Sequence, residues 1–170
     1  MKKLFLVGAV ALFGAMNAQT GNFKLGAHIG LPVGDASDAG LDFNAGIDVA
    51  YTWRVAPQFD LGITTGYSHY FGEKQTFSIP FVGTYTINPS FGIIPLAATG
   101  QYSVNEQFFI GADLGYAFFT GDNADGGGFL YQPKIGYTFM SKNDLYLSYK
   151  GISDDGSSLG SINLGYAYKF

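Results

Sequence analysis

The chain has 170 residues, a length typical of one domain, and it contains no cysteine, which excludes a disulfide framework. Aromatic residues make up 17% of the chain, glycine occurs 25 times, and only 13% of residues are charged, about half the usual share in globular proteins. The 13 acidic residues outnumber the nine basic ones, which gives no support for nucleic-acid binding. No cysteine or histidine cluster suggests zinc, and no phosphate-binding loop is present.

The first 18 residues have the pattern of a secretory signal peptide. Lys2 and Lys3 precede an apolar run of about 13 residues, and Ala18 is a small residue at which a signal peptidase could cut, although Met16 stands where another small residue is preferred. The run is shorter than the roughly 20 residues that a membrane-spanning helix needs. We predict a cleaved signal peptide over residues 1–18 and one domain over residues 19–170.

The rest of the chain alternates apolar and polar residues with period two, which indicates β-strands. The clearest case is residues 41–55, in which Leu41 and every second residue to Val55 is apolar or aromatic. The pattern predicts eight strands: residues 23–31, 41–55, 59–68, 91–104, 108–118, 129–139, 145–150 and 161–170. We interpret Thr76–Asn88, a ninth candidate, as a hairpin or a strand extension within a long connection.

The connections between these strands alternate in length. Residues 56–58, 105–107 and 141–144 form short turns, whereas residues 32–40, 72–90, 121–128 and 153–158 form longer connections rich in glycine and aspartate. Such alternation places all short turns at one end of an antiparallel up-and-down barrel. An even number of strands places both termini at that end as well.

Alternation alone is compatible with a soluble, lipocalin-like barrel that is apolar inside and with a membrane barrel that is apolar outside. Glycines fall on the polar face of nearly every strand, which suits the crowded interior of an eight-stranded barrel. Aromatic residues concentrate on the apolar face near the strand ends, as in the girdles of membrane barrels. The predicted girdle consists of Tyr51, Trp53, Tyr67, Phe71, Tyr116, Phe118, Tyr166 and Tyr168. The predicted fold is therefore an all-β, eight-stranded antiparallel transmembrane barrel.

Charged residues on the polar face are candidates for a network inside this barrel. We predict that His28, Asp48, Asp113 and Lys134 lie near mid-height, and that Arg54 and Asp60 oppose each other across the turn at Pro57. We interpret the network as a structural plug, because eight strands leave little open lumen. A narrow ion or proton path is the alternative.

Without residues 1–18 the chain has a net charge of −6, and the long connections carry a charge of the same size. They hold seven acids against Lys74, namely Asp35, Asp38, Glu73, Asp122, Asp125, Asp154 and Asp155. Asp122 and Asp125 lack the alternating ligands and the distant glutamate of a calcium loop, so we predict no metal site and no cofactor. A looser sharing of divalent cations with lipopolysaccharide phosphates stays open as a hypothesis.

Taken together, these features resemble the small eight-stranded outer-membrane β-barrels of Gram-negative bacteria, the OmpA/OmpX-like group. The resemblance covers Gln19–Phe170 and rests on the strand pattern, the unequal connections and the terminal aromatic. It implies an outer-membrane location and contact with lipid and lipopolysaccharide, and we expect a monomer. It also implies that Tyr168 and Phe170 form a C-terminal signal for the barrel assembly machinery.

Some outer-membrane barrels modify lipid A with a catalytic set of histidine, serine and glutamate. Ser68, His69 and Glu73 lie close together in sequence, but adjacent strand residues point to opposite faces. A nucleophilic serine needs a base within hydrogen-bond reach. We therefore predict that the protein is not an enzyme.

Overall fold

The computed structural model describes residues 21–73, 75–79, 83–87, 90–121, 126–154 and 157–170. The predicted signal peptide lies outside this part of the chain. The elements in chain order are β1 (Gly21–Val33), α1 (Asp35–Asp38), β2 (Leu41–Ala56), β3 (Phe59–Gly72), β4 (Gln75–Ile79), β5 (Gly83–Ile87), β6 (Phe91–Ser103), β7 (Phe108–Thr120), β8 (Gly127–Phe139), β9 (Asn143–Asp154) and β10 (Ser157–Lys169).

Eight of the strands close into a barrel in the order β1-β10-β9-β8-β7-β6-β3-β2, with every neighbouring pair antiparallel. The seam joins β1 to β10, where Ile29 pairs with Leu164 and Lys24 pairs with Lys169. β4 and β5 form a separate two-stranded sheet in the connection between β3 and β6. The predicted eight-stranded up-and-down barrel is confirmed. β4 and β5 form the hairpin predicted within Thr76–Asn88, of which residues 80–82 and 88 lie outside the described part of the chain.

Burial follows the alternation of the sequence, with polar side chains inside and apolar side chains outside. Along β1, Lys24 and His28 are 9% and 4% exposed, whereas Leu25 and Ile29 are 44% and 64% exposed. The strands of the barrel have 12 to 16 residues, more than the 9–11 that cross a bilayer as a tilted strand. No helix among the described residues is long and apolar enough to cross a membrane.

Three details differ from the sequence-based expectations. Leu41, expected on the outer face, is 6% exposed and lies inside, because a register shift between Leu41 and Phe43 reverses the alternation there and leaves Asp42 exposed. Asp144, expected in a turn, lies on β9 and is 2% exposed. The expected long connection at 153–158 is mostly strand, since Asp154 already pairs with Ser157.

Inward glycines allow neighbouring backbones and side chains to approach closely. A Cβ atom at Gly62 would collide with the carbonyl oxygen of Tyr51 and lie 2.8 Å from the Cα atom of Thr52. At the outward Gly100, the nearest atoms to such a Cβ are side-chain carbons of Leu61 and Phe59 at 3.5 Å. The same substitution should therefore have different effects at the two positions.

We expect Gly62→Ala to lower the free energy of unfolding by about 1–3 kcal/mol, the usual effect of overpacking, and Gly100→Ala to change it by less than about 0.5 kcal/mol. Urea unfolding followed by the fluorescence of Trp53, the only tryptophan of the chain, measures both values. Equal effects of the two substitutions would contradict the crowded interior.

Candidate functional site

The lumen of the barrel is the candidate functional site, because it gathers most of the charged side chains of the strands. Five cations and four carboxylates point inward. They are Lys24, Arg54, Lys134, Lys150 and Lys169, and Asp48, Asp60, Asp113 and Asp144.

Three strands contribute to an ion-pair cluster at the turn end of the lumen. Asp144 on β9 accepts from Lys24 on β1 at 3.2 Å and from Lys169 on β10 at 2.8 Å. The hydroxyl of Thr138 donates to the same carboxylate at 2.6 Å. This cluster holds together the strands on both sides of the seam.

Arg54 and Asp60 form a second ion pair at the turn end. They are directly opposed in the register of β2 and β3, and the guanidinium also donates to the carbonyl oxygen of Pro57 at 3.1 Å. The side chain of Arg54 is 53% exposed, so water screens this pair.

Lys134 and Asp113 form a more deeply buried ion pair near mid-height. The ammonium of Lys134 lies 2.7 Å from Asp113 Oδ2, and the two side chains are 19% and 5% exposed. Lys134 also lies over the ring of Tyr146, at 5.7 Å from its centroid. Asp113 Oδ1 has no hydrogen-bond partner among the described residues.

A chain of hydrogen bonds crosses the lumen on the loop side of this ion pair. Asp48 Oδ2 lies 2.6 Å from His28 Nδ1 and accepts from the hydroxyl of Tyr146 at 3.0 Å. The other ring nitrogen of His28 lies 3.0 Å from Ser68 Oγ, and Lys150 Nζ donates to the same oxygen at 2.8 Å. Lys150 on β9 thus reaches β3, four strands away around the eight-stranded barrel, and spans the lumen.

Gly46 makes the contact between His28 and Ser68 possible. In the register it stands between them, because His28 pairs with Gly46 on one side and Gly46 pairs with Ser68 on the other. A Cβ atom at Gly46 would lie 2.6 Å and 2.7 Å from the imidazole atoms Cε1 and Nε2 of His28. The missing side chain therefore leaves room for the imidazole to cross β2.

Asp48, His28 and Ser68 have the connectivity of a hydrolytic triad, but the serine is not available to a substrate. Ser68 is 0% exposed and His28 is 4% exposed. Lys150 is 1% exposed and donates to the same hydroxyl, which reduces the nucleophilicity that the histidine could induce. The arrangement is therefore best described as a structural hydrogen-bond network.

The adjacent His69 does not join this network. Its ring lies 3.1 Å from the hydroxyl of Tyr67 and packs edge-on against Phe71, both on the outer face of β3. The histidine that contacts Ser68 is His28, from another strand. Sequence spacing could not identify that partner, since the contact depends on the registers of two strand pairs.

An apolar layer closes the loop side of the lumen, and sequence analysis missed it. Its inward side chains are buried and come from β3, β6, β7, β8 and β9, and Leu41 and Ala36 of α1 belong to the same cluster. The inward members are Tyr70, Ile93, Ala97, Ala117, Leu130 and Ile152. Ile93, Leu130 and Ile152 occupy positions on the polar face of their strands. Apolar residues at such positions were the sequence signal for this layer.

The predicted girdle residues lie at both ends of the outer face. Tyr51, Trp53, Tyr166 and Tyr168 lie toward the turn end, where Phe170 packs at 5.0 Å from Tyr168. Tyr67, Phe71, Tyr116 and Phe118 lie toward the loop end and are 37% to 46% exposed. Phe170 also bonds to the seam, because its backbone N–H donates to the carbonyl of Phe23 at 2.9 Å.

Within the part of the chain that the structure describes, no three histidine, cysteine, aspartate or glutamate side chains could hold a metal ion together. Asp122, Asp125 and Asp155 lie outside the described residues. Asp35 and Ser158 lie at the loop end, where the serine hydroxyl donates to the carboxylate at 3.0 Å.

The two ion pairs predict different responses to loss of the cation. We expect Lys134→Met to lower the free energy of unfolding by about 3–5 kcal/mol, because it leaves Asp113 buried without a counterion. Arg54→Met should cost less than about 1 kcal/mol, since water can replace the guanidinium. Urea titrations of the two refolded variants measure these values, and a larger loss for Arg54→Met would contradict the assigned burial.

Comparison with solved structures identifies the fold. The chain superposes on the outer membrane protein Ail of Yersinia pestis with a TM-score of 0.56 and 14% sequence identity, over 89% of this chain and 100% of Ail. For the N-terminal β-barrel domain of OprF from Pseudomonas aeruginosa the TM-score is 0.51 at 15% identity, again over 89% and 100%. A de novo designed transmembrane β-barrel gives 0.55 at 14% identity, over 88% and 95%.

No protein-family model matches the chain, and no curated protein matches it. The likeness to solved structures therefore concerns the fold and carries no activity, as the designed barrel among them illustrates. The chain has the fold of the small eight-stranded outer-membrane β-barrels.

Proposed function

We propose that the protein is an integral outer-membrane β-barrel with a plugged lumen, a structural or surface-interaction role and no catalytic activity. The observation that carries this proposal is the continuous apolar outer face. All eight barrel strands expose large apolar side chains, each at least 37% accessible. Examples are Leu25, Ile29, Ile47, Ile63, Leu96, Leu114, Ile135, Leu147 and Leu164. Soluble monomers rarely expose an apolar patch of more than a few hundred Å².

A hydrocarbon environment accounts for both this surface and the closed sheet. Backbone groups in lipid must be paired within the protein, which a barrel without edges achieves. Aromatic side chains at both ends of the outer face match the two water–lipid boundaries. A soluble, lipocalin-like carrier would instead need its apolar face inside, where this lumen holds five cations and four carboxylates.

We place this barrel in the outer membrane as a monomer, with its short turns toward the periplasm and its acidic connections outside. The shared fold with outer-membrane proteins and the signal-peptide pattern of residues 1–18 support this location. The partners we propose are outer-membrane lipid and lipopolysaccharide, and the assembly machinery through Tyr168 and Phe170. Phe170 is 62% exposed beside the seam, where another surface can contact it.

Two layers support the plug. Lys150 spans the lumen to Ser68, and Tyr70 reaches from β3 to Ser161 on β10 at 2.9 Å. Ile93, Ile152 and their apolar neighbours lie on the loop side, where apolar side chains oppose ion passage. This arrangement favours a closed barrel over the alternative of a narrow ion or solute channel.

Membrane insertion predicts a strong effect of charge on the outer face. We expect Leu164→Arg, at mid-height and 50% exposed, to lower stability in bilayers by about 2–4 kcal/mol. Ser158→Arg, at the loop end, should cost about 0–1 kcal/mol. The measurement is urea unfolding in lipid vesicles, and equal, small effects at both positions would favour a soluble barrel.

A plugged lumen predicts that the refolded protein gives no steady single-channel steps in planar bilayers. Selective steps that change in Lys134→Met would support the channel alternative.

The absence of catalysis predicts no labelling by a fluorophosphonate probe. Labelling that is lost in Ser68→Ala would favour the second alternative, a lipid A-modifying enzyme.

A further inference from the structure

The turn-side half of the lumen contains a cavity that the plug does not fill. Its volume is about 60 Å³, and its wall includes Thr52, Thr99, Gln132 and the ion pair of Asp113 with Lys134. A buried water molecule needs roughly 10–15 Å³ of such space, so the cavity has room for several.

Two oxygen atoms in the cavity wall lack protein partners. Thr52 Oγ1 and Asp113 Oδ1 belong to residues that are 2% and 4% exposed, and neither atom has a hydrogen-bond partner among the described residues. Asp48 contributes a third oxygen, because both of its hydrogen bonds go to Oδ2 and its side chain is 24% exposed. Leaving such groups without hydrogen bonds costs about 1–3 kcal/mol each, so the sites require an occupant.

The chemistry of the wall specifies that occupant. Lys24 and Lys134 offset two of the three carboxylates, Asp48, Asp113 and Asp144. Lys169, which contacts Asp144, supplies a third cation, so the site is nearly neutral and favours neither an anion nor a divalent cation. Water can donate to a carboxylate and both donate to and accept from a threonine hydroxyl. A cluster of water molecules fits both the volume and the unpartnered oxygens.

The cavity lies next to an open space at the turn end of the barrel. A wider vestibule at the turn end is lined by Arg54, Asp60, Ser103 and Lys169, and Gln101 and Phe109 line both spaces. At the other end the cavity meets Leu130, a member of the apolar layer. Asn44, whose side chain also lacks a partner among the described residues, lies on the loop side and does not line this cavity.

We propose that the turn-side half of the lumen is a water-binding half-pore, which exchanges with the medium at the turn end and ends blindly at the apolar layer. That the open end and the blind end face opposite sides of a membrane rests on the proposed function, whereas the water site rests on the cavity alone. Thr99 and Ile93 lie on opposite sides of its limit: both point inward from β6, and they are 6% and 0% exposed. Thr99 and Pro95 line the cavity, whereas Ile93, nearer the loop end, does not.

The water site is testable in the unmodified protein by solid-state NMR in lipid bilayers. We expect magnetisation transfer from water to reach Thr52, Thr99 and Gln132 several-fold faster than Ile93 and Ile152. Equally slow transfer to both groups would overturn the water site. Equally fast transfer would overturn the blind end.

The absence of cysteine from the chain allows single-cysteine variants to test the sidedness. Thr99→Cys and Ile93→Cys, a position on the same strand beyond the cavity, are reconstituted in sealed vesicles and treated outside with 2-aminoethyl methanethiosulfonate, with free cysteine inside as a scavenger. Ser103→Cys at the vestibule and Ser158→Cys at the loop end report which end faces outward.

We expect Thr99→Cys to be labelled in the same fraction of molecules as Ser103→Cys, and Ile93→Cys to be labelled several-fold more slowly. Labelling of Ser103→Cys without Thr99→Cys would overturn the half-pore and leave the membrane barrel intact. Equal labelling of all four variants from outside would show that the barrel is not held in a membrane, which contradicts the proposed function instead.

Discussion

The narrow interior of an eight-stranded barrel constrains every inward residue of this protein. Side chains from opposite walls meet inside it, so each must find a partner, fill space, or be absent. Lys150 and Tyr70 meet the first requirement by reaching groups three or four strands away. Ile93 and Leu130 meet the second, and inward glycines such as Gly46 and Gly62 meet the third.

The same constraint explains how the lumen can hold so many ionised groups. Burying a lone charge is costly, whereas a buried charge with a counterion and hydrogen bonds is tolerated. All four inward carboxylates contact a basic side chain, which for Asp48 is His28. Lys150 is the exception among the cations, because it bonds to Ser68 and His28 rather than to a carboxylate. His28 separates the ammonium of Lys150 from the carboxylate of Asp48.

How far the sequence predicted this structure depended on whether a feature is local. The strands, the barrel and the opposed Arg54 and Asp60 followed from alternation and turn length, which are local properties. The inward position of Leu41 could not be predicted, because it results from an irregularity in the pairing of β2 with β3. The contact between His28 and Ser68 depends on two registers through Gly46, and the apolar layer consists of single residues from five strands.

The cluster around Asp144 has a consequence for how the barrel closes. Lys24 and Lys169 are directly opposed across the seam, and like charges in that position repel. Asp144 contacts both ammonium groups, yet it belongs to β9 and not to either strand of the seam. Pairing of β1 with β10 is therefore more favourable when β9 is in place. A third strand thus offsets the repulsion between two like charges at the seam.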